Sequence, residues 1–211
     1  MTVHVLADRT VDVHWVAWSP DGKTIVSTGR EEGLHFWDVQ SGEMRRKLDR
    51  SVTGNHYRVA FSPDGKTLAS AGNDRTVRLW DAASGEKVRE MVMGEGKGWG
   101  CVLWTRDGKT LVSYRTGVIY NWDPANGKLR QKFGSEVGHG FLSPDGRTFM
   151  AAGWGPNTKM QVFDVASGKL LSEQEKPEGE TATLALASSP DGKVFAISCP
   201  IGARIVRTAR S

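Results

Sequence analysis

Five copies of one four-residue phrase are strung along this chain. Ser19-Pro20-Asp21-Gly22, Ser62-Pro63-Asp64-Gly65, Ser143-Pro144-Asp145-Gly146 and Ser189-Pro190-Asp191-Gly192 are identical, and Thr105-Arg106-Asp107-Gly108 is a worn fifth. Their first residues stand 43, 43, 38 and 46 apart. In such a phrase proline sets φ and Asp-Gly supplies a left-handed position, the chemistry of a tight turn between strands. A turn that returns at this period marks a repeated unit that cannot bury its own faces and must be stacked against copies of itself.

Residues 57–92 give the cleanest unit. Tyr57 to Phe61 reads as a short strand, Lys66 to Ala71 as a second, Thr76 to Asp81 as a third and Glu86 to Val92 as a fourth. The turns between them are Ser62 to Gly65, Gly72 to Arg75 and Ala82 to Gly85. Four strands joined by hairpins make an antiparallel meander. Small residues such as Ala60, Ala69 and Ala71 stand beside large ones such as Phe61, Leu79 and Trp80, which suits a sheet covered on both faces. The predicted fold class is all-β, a propeller of about five four-stranded antiparallel blades.

The third strands end in Trp37-Asp38, Trp80-Asp81 and Trp122-Asp123, with Phe163-Asp164 as a fourth version. Each is followed by Ser-Gly or Asn-Gly, at Ser41-Gly42, Ser84-Gly85, Asn126-Gly127 and Ser167-Gly168. This phrasing resembles the WD40 repeat over nearly the whole chain. The departure is at the family's Gly-His dipeptide. His56 follows Asn55, and Gly138-His139 stands close to its strand. The resemblance implies a network of histidine, turn acid, Ser or Thr, and Trp. Asp74, Ser70 and Trp80 can form a partial version, and Glu31 is the turn acid of the first unit. Packing, more than such networks, is expected to hold the blades.

The expected arrangement is one domain over residues 1–211, with blades at about 13–48, 56–92, 99–133, 137–174 and 182–207. The last copy lacks a fourth strand. Residues 2–6 resemble an outer strand and are expected to complete it, the ring-closing device the resemblance implies. The alternative is that the chain is a fragment of a larger WD40 protein.

Composition narrows the chemistry. The chain has 211 residues, 38% hydrophobic and 25% charged, within the globular range. A net charge of +4 does not by itself point to nucleic acid. Cys101 and Cys199 form no disulfide framework or metal motif, and a reducing, cytoplasmic setting is expected. No apolar stretch has the length of a membrane span, and no secretory leader is visible at residues 1–12. His4, His14, His35, His56 and His139 lack paired metal spacing, no Gly-x-Ser-x-Gly elbow is present, and the repeated acids are explained by turn geometry. The expectation is a protein that is not an enzyme and takes no cofactor and no metal.

Function is sought where the copies differ. The resemblance puts the first-to-second and third-to-fourth turns on one rim, nearly identical from blade to blade. It puts the second-to-third turns and the linkers between blades on the other, where they diverge. Partner-binding candidates there are Arg30, Glu31, Asn73, Trp99, Arg115 and Trp154, with His14 and Tyr57 at the starts of first strands. Aromatic residues with arginine are common interface anchors. Of the eight tryptophans, Trp18, Trp37, Trp80, Trp104 and Trp122 are expected in the core and Trp15 between blades. The function expected is a non-catalytic scaffold for a protein or peptide. The alternative is a small-molecule or glycan binder, or a hydrolase, that uses an axial cavity.

Overall fold

The computed structural model describes residues 13–29, 33–48, 56–94, 100–115, 117–135, 137–153, 158–175, 185–189, 194–199 and 202–207. For residues 56–57, 185–188, 194–199 and 202–207 it describes the backbone only. The chain divides into two compact units, residues 1–104 and 105–211.

Unit one holds two complete meanders. The first is β1 (Val13–Trp18), β2 (Thr24–Gly29), β3 (Leu34–Asp38) and β4 (Met44–Leu48). The second is β5 (His56–Phe61), β6 (Thr67–Gly72), β7 (Thr76–Asp81) and β8 (Lys87–Val92). Each pairs antiparallel in chain order. Strand β9 (Cys101–Trp104) closes the unit and lies against β5.

Unit two carries β10 (Leu111–Arg115), β11 (Val118–Trp122) and β12 (Leu129–Phe133). Next come β13 (His139–Leu142), β14 (Thr148–Ala152), β15 (Lys159–Asp164) and β16 (Leu170–Glu175), a complete meander within this unit. The last described strands are β17 (Ala185–Ser188), β18 (Val194–Cys199) and β19 (Gly202–Arg207), paired in that order. Residues 2–6, expected to complete this sheet, lie outside the described residues.

The turn phrase closes its own hydrogen bonds, which is why it can be repeated so faithfully. Ser19 Oγ donates to Asp21 Oδ1 at 2.6 Å, the Lys23 N–H donates to the same carboxylate at 3.0 Å, and the Thr24 N–H donates to Ser19 Oγ at 2.9 Å. The copy at Ser62 has 2.6, 3.1 and 3.0 Å for the same three bonds. Those at Thr105 and Ser143 have 2.7, 3.0 and 3.0 Å and 2.5, 3.0 and 3.0 Å. The glycines take the left-handed conformation, with φ of 70° at Gly22 and 71° at Gly65, which a side chain would strain. The glycine thus shapes the turn, the Ser or Thr and the Asp close it, and the only outside groups in these bonds are the backbone N–H groups of the next two residues.

A second local device ties strands together. The indole N–H of Trp37 donates to Ser27, that of Trp80 to Ser70 and that of Trp122 to Ser113, each at 2.8 Å and buried. In the fourth repeat Trp becomes Phe163, and the serine position becomes Ala151. Donor and acceptor disappear together, so no buried polar atom is stranded. The polar contribution to the blades is therefore larger than the sequence implied. Asp74 takes a different route from the expected network: it accepts from the Thr76 N–H at 3.1 Å and stands 2.7 Å from the buried Arg78. Arg78 also faces Glu90 at 3.3 Å.

Apolar packing does the rest. In unit one Val26, Leu34 and Phe36 of the first sheet meet Val59, Leu68 and Trp80 of the second, flanked by Ala17, Leu48 and Phe61. In unit two Met150, Ala152, Met160 and Val162 cluster with Phe141. Trp37, Trp80 and Trp122 are buried as expected. Trp104 is half-buried and donates its indole N–H to the Ala60 carbonyl at 3.1 Å. Trp18 corrects the expectation. It is 57% exposed, because its face of β1 is not covered by another sheet among the described residues.

Candidate functional site

The two ends of each meander differ in kind. At the end that carries the repeated turns, the acids are committed to the backbone. The Ser19 hydroxyl and the Lys23 N–H hold Asp21 below the usual carboxylate range, and Ser62 and the Lys66 N–H do the same to Asp64. The third-strand acids are occupied likewise. Asp81 accepts from the Ser84 N–H at 2.6 Å and the Ala83 N–H at 3.0 Å, and Asp38 takes the Ser41 N–H and an ion pair with Arg45. Carboxylates held ionised by turn hydrogen bonds are poor proton donors at neutral pH.

At the opposite end, unit one brings together residues that the sequence left apart. Strands β1 and β5 carry the same irregularity: pairing shifts between Val13 and Trp15 and between His56 and Arg58. The extra residues are His14 and Tyr57, two of the predicted candidates, in equivalent positions. A bulge re-aims the side chains that follow it. Those residues are Trp15 and Arg58, and the Arg58 guanidinium lies 4.0 Å from the centroid of the Trp15 ring. This is the geometry of a cation–π pair. Trp15 is 38% exposed and Arg58 half-buried, so the expectation of Trp15 packed away between blades holds only in part. Exposed His14 is beside the pair in sequence, and exposed Asn73 follows Gly72, the residue that pairs with His56. On the β9 side the place of Tyr57 falls to Gly100. Its N–H reaches the Gly72 carbonyl at 3.1 Å, and an added Cβ would stand 2.6 Å from that oxygen.

The other candidates fare differently. Arg115 is not on an exposed loop: it ends β10, pairs with Val118 and is 4% exposed, so its side chain is buried structure. Arg30, Glu31, Trp99 and Trp154 lie outside the described residues, as does the side chain of Tyr57. Arg58 was missed by sequence reading. The signal stands one residue further on: the residues after His14, Tyr57, Gly100 and Gly138 are Trp15, Arg58, Cys101 and His139. That slot changes chemistry in every copy. Among the described residues no group of three or more His, Cys, Asp or Glu is placed to hold a metal, and no helix is long and apolar enough to cross a membrane.

Comparison with known proteins agrees with this architecture. The family model described as WD domain, G-beta repeat matches residues 2–38 and 47–81. A second, described as outer membrane protein assembly factor BamB, matches residues 73–208, more than half of the chain. No curated protein matches. Among solved structures, Kuenenia stuttgartiensis hydrazine synthase is similar at a TM-score of 0.80 and 21% identity, over 93% of this chain and 58% of that one. The chain thus spans less than two thirds of that protein's length, and at this identity the likeness speaks for the fold alone. Repeated turns, Trp–Ser ties, stacked meanders and two matching models lead to one conclusion: the chain belongs to the WD40-like family of β-propeller repeat proteins.

Proposed function

We propose that this chain is a non-catalytic docking platform that takes a protein or peptide at the linker end of unit one, around Trp15, Arg58, His14 and Asn73. The observation that carries the reading is the Trp15–Arg58 stack, half open to solvent beside two equivalent bulges. Aromatic and arginine side chains are the residue types that most often anchor interfaces. The acids at the other end are committed to turns, which supports binding over turnover. Fold alone does not choose between the two. One matching description names an assembly factor and one similar structure is named a synthase, so the argument rests on the site.

The test is capture of a partner from source-cell lysate on the immobilised chain, read by mass spectrometry. Trp15→Ala and Asn73→Ala should lose the partner with the fold intact. Asp64→Asn, at the opposite end, should lower the melting temperature yet keep the partner. A copurifying substrate whose turnover is abolished by a single carboxylate substitution would overturn the non-catalytic reading.

A further inference from the structure

The geometry points to a carboxylate as the group recognised at this end: we infer that Arg58, held over the Trp15 ring, is a fork for an acidic side chain of a docking peptide. The inference rests on the platform reading and names the chemistry of its partner.

Three observations carry it. The first is what Arg58 lacks. Arg45 has Asp38, Arg78 has Asp74 and Glu90, and Arg130 has Asp123 at 3.0 Å. Among the described residues no carboxylate stands within ion-pair reach of Arg58, and its one described interaction is the stack on Trp15. The second is proximity. Cζ stands 4.0 Å from the ring centroid, so the indole covers one side of the guanidinium, and the N–H groups that project past the ring match the two oxygens of a carboxylate. Holding the guanidinium on an aromatic bed removes part of the entropy a free arginine would lose on binding. The third is the bed itself. Part of the Trp15 ring stays open to solvent. The open part suits an apolar neighbour of the acid, as a peptide supplies and a free anion does not. A phosphate is usually gripped by several cations or by a row of backbone N–H groups. Here one guanidinium fork is presented, which favours the planar, singly charged group.

The experiment uses the purified 15N-labelled full chain and follows the Arg58 Nε–H and Trp15 Nε1–H signals. The probes are the blocked peptide Gly-Glu-Phe-Glu-Gly, the same peptide with glutamine for both glutamates, and inorganic phosphate, all at one ionic strength. The acidic peptide should shift both signals saturably, and the glutamine peptide and phosphate should not. Arg58→Gln should weaken the acidic peptide by roughly tenfold or more, the scale of a lost charge-assisted hydrogen bond. Arg58→Lys keeps the charge without the fork and should fall between. Equal response to both peptides, equal response to phosphate, or an unchanged affinity in a folded Arg58→Gln variant overturns the assignment. The lysate capture separates the two ideas. A partner retained undiminished by Arg58→Gln sinks the carboxylate and spares the platform. Peptide binding with no partner from the lysate sinks the platform and spares the carboxylate.

Discussion

Strands β1 and β5 occupy the same place in successive repeats, share the same bulge and lead into identical turns, yet they meet different surroundings. Val59 is 2% exposed and Val16, its counterpart, 52%. Trp104 of β9 finds the Ala60 carbonyl, while Trp18 of β1 stands in solvent. The reason is visible in the packing. Val59 is covered by Val26, Leu34 and Phe36 of the preceding sheet, and the described residues offer Val16 no such sheet. The hydrophobic pattern of a strand states which faces can be buried. A neighbour decides which one is.

The largest expected effect tests that difference with tryptophan. Trp80→Ala should cost about 3–5 kcal/mol, the range for a large buried aromatic, with the Ser70 hydroxyl left unpaired as well. Trp18→Ala should cost less than about 1 kcal/mol, the ordinary range at an exposed site. Urea unfolding of both variants measures the gap, and equal losses would mean that Trp18 is covered after all.

The valine pair sharpens the comparison without changing any polar group. Val59→Ala should cost about 2 kcal/mol from the lost methyl groups and the cavity they leave. Val16→Ala should stay within about 0.5 kcal/mol. A large effect at Val16 would show that its exposure is not the state of the protein in solution.

Acid titration asks whether the difference stops at the turns. Asp21 and Asp64 are held low by hydroxyl and backbone N–H donors, the same partners in both repeats. A carboxylate with a lower pKa folded than unfolded stabilises the fold fully above its unfolded value, about 4, and loses that contribution as pH falls through the folded value. The melting temperature should be flat from about pH 8 to 5 on this account and fall below about pH 4. Asp21→Asn and Asp64→Asn should each reduce stability at neutral pH and blunt the acid fall to a similar degree. Unequal changes would break the idea that the turns are indifferent to what covers their strands.

Trp15→Ala should also have a small effect on stability. An exposed cation–π contact contributes about 0.5–1 kcal/mol, so the change should barely move the unfolding curve while it removes binding.

Much of this protein is local, and the local part was legible in the sequence. The Ser-Pro-Asp-Gly turns satisfy their donors and acceptors within six residues, so their sequence is their structure. The Trp–Ser ties were legible in part, since Trp80 and Ser70 were paired as expected, though Asp74 turned instead to Thr76 and Arg78. The site was legible only in outline. His14 and Tyr57 were found as equivalent strand starts, but a bulge shifts side-chain parity by one residue and moves the open slot to Trp15 and Arg58. Arg115 shows the same limit from the other side: next to a divergent turn in the sequence, it extends β10 and is buried.

The sequence by itself determined the repeat, its four-stranded plan and the turns that join the strands, because each is closed by hydrogen bonds or strand alternation within one copy. Only the tertiary structure decided that Val59 is core and Val16 surface, that Trp18 is open, and that Trp15 and Arg58 meet. Those outcomes depend on the sheet next door, whose distance and facing side chains a strand's own residues do not encode.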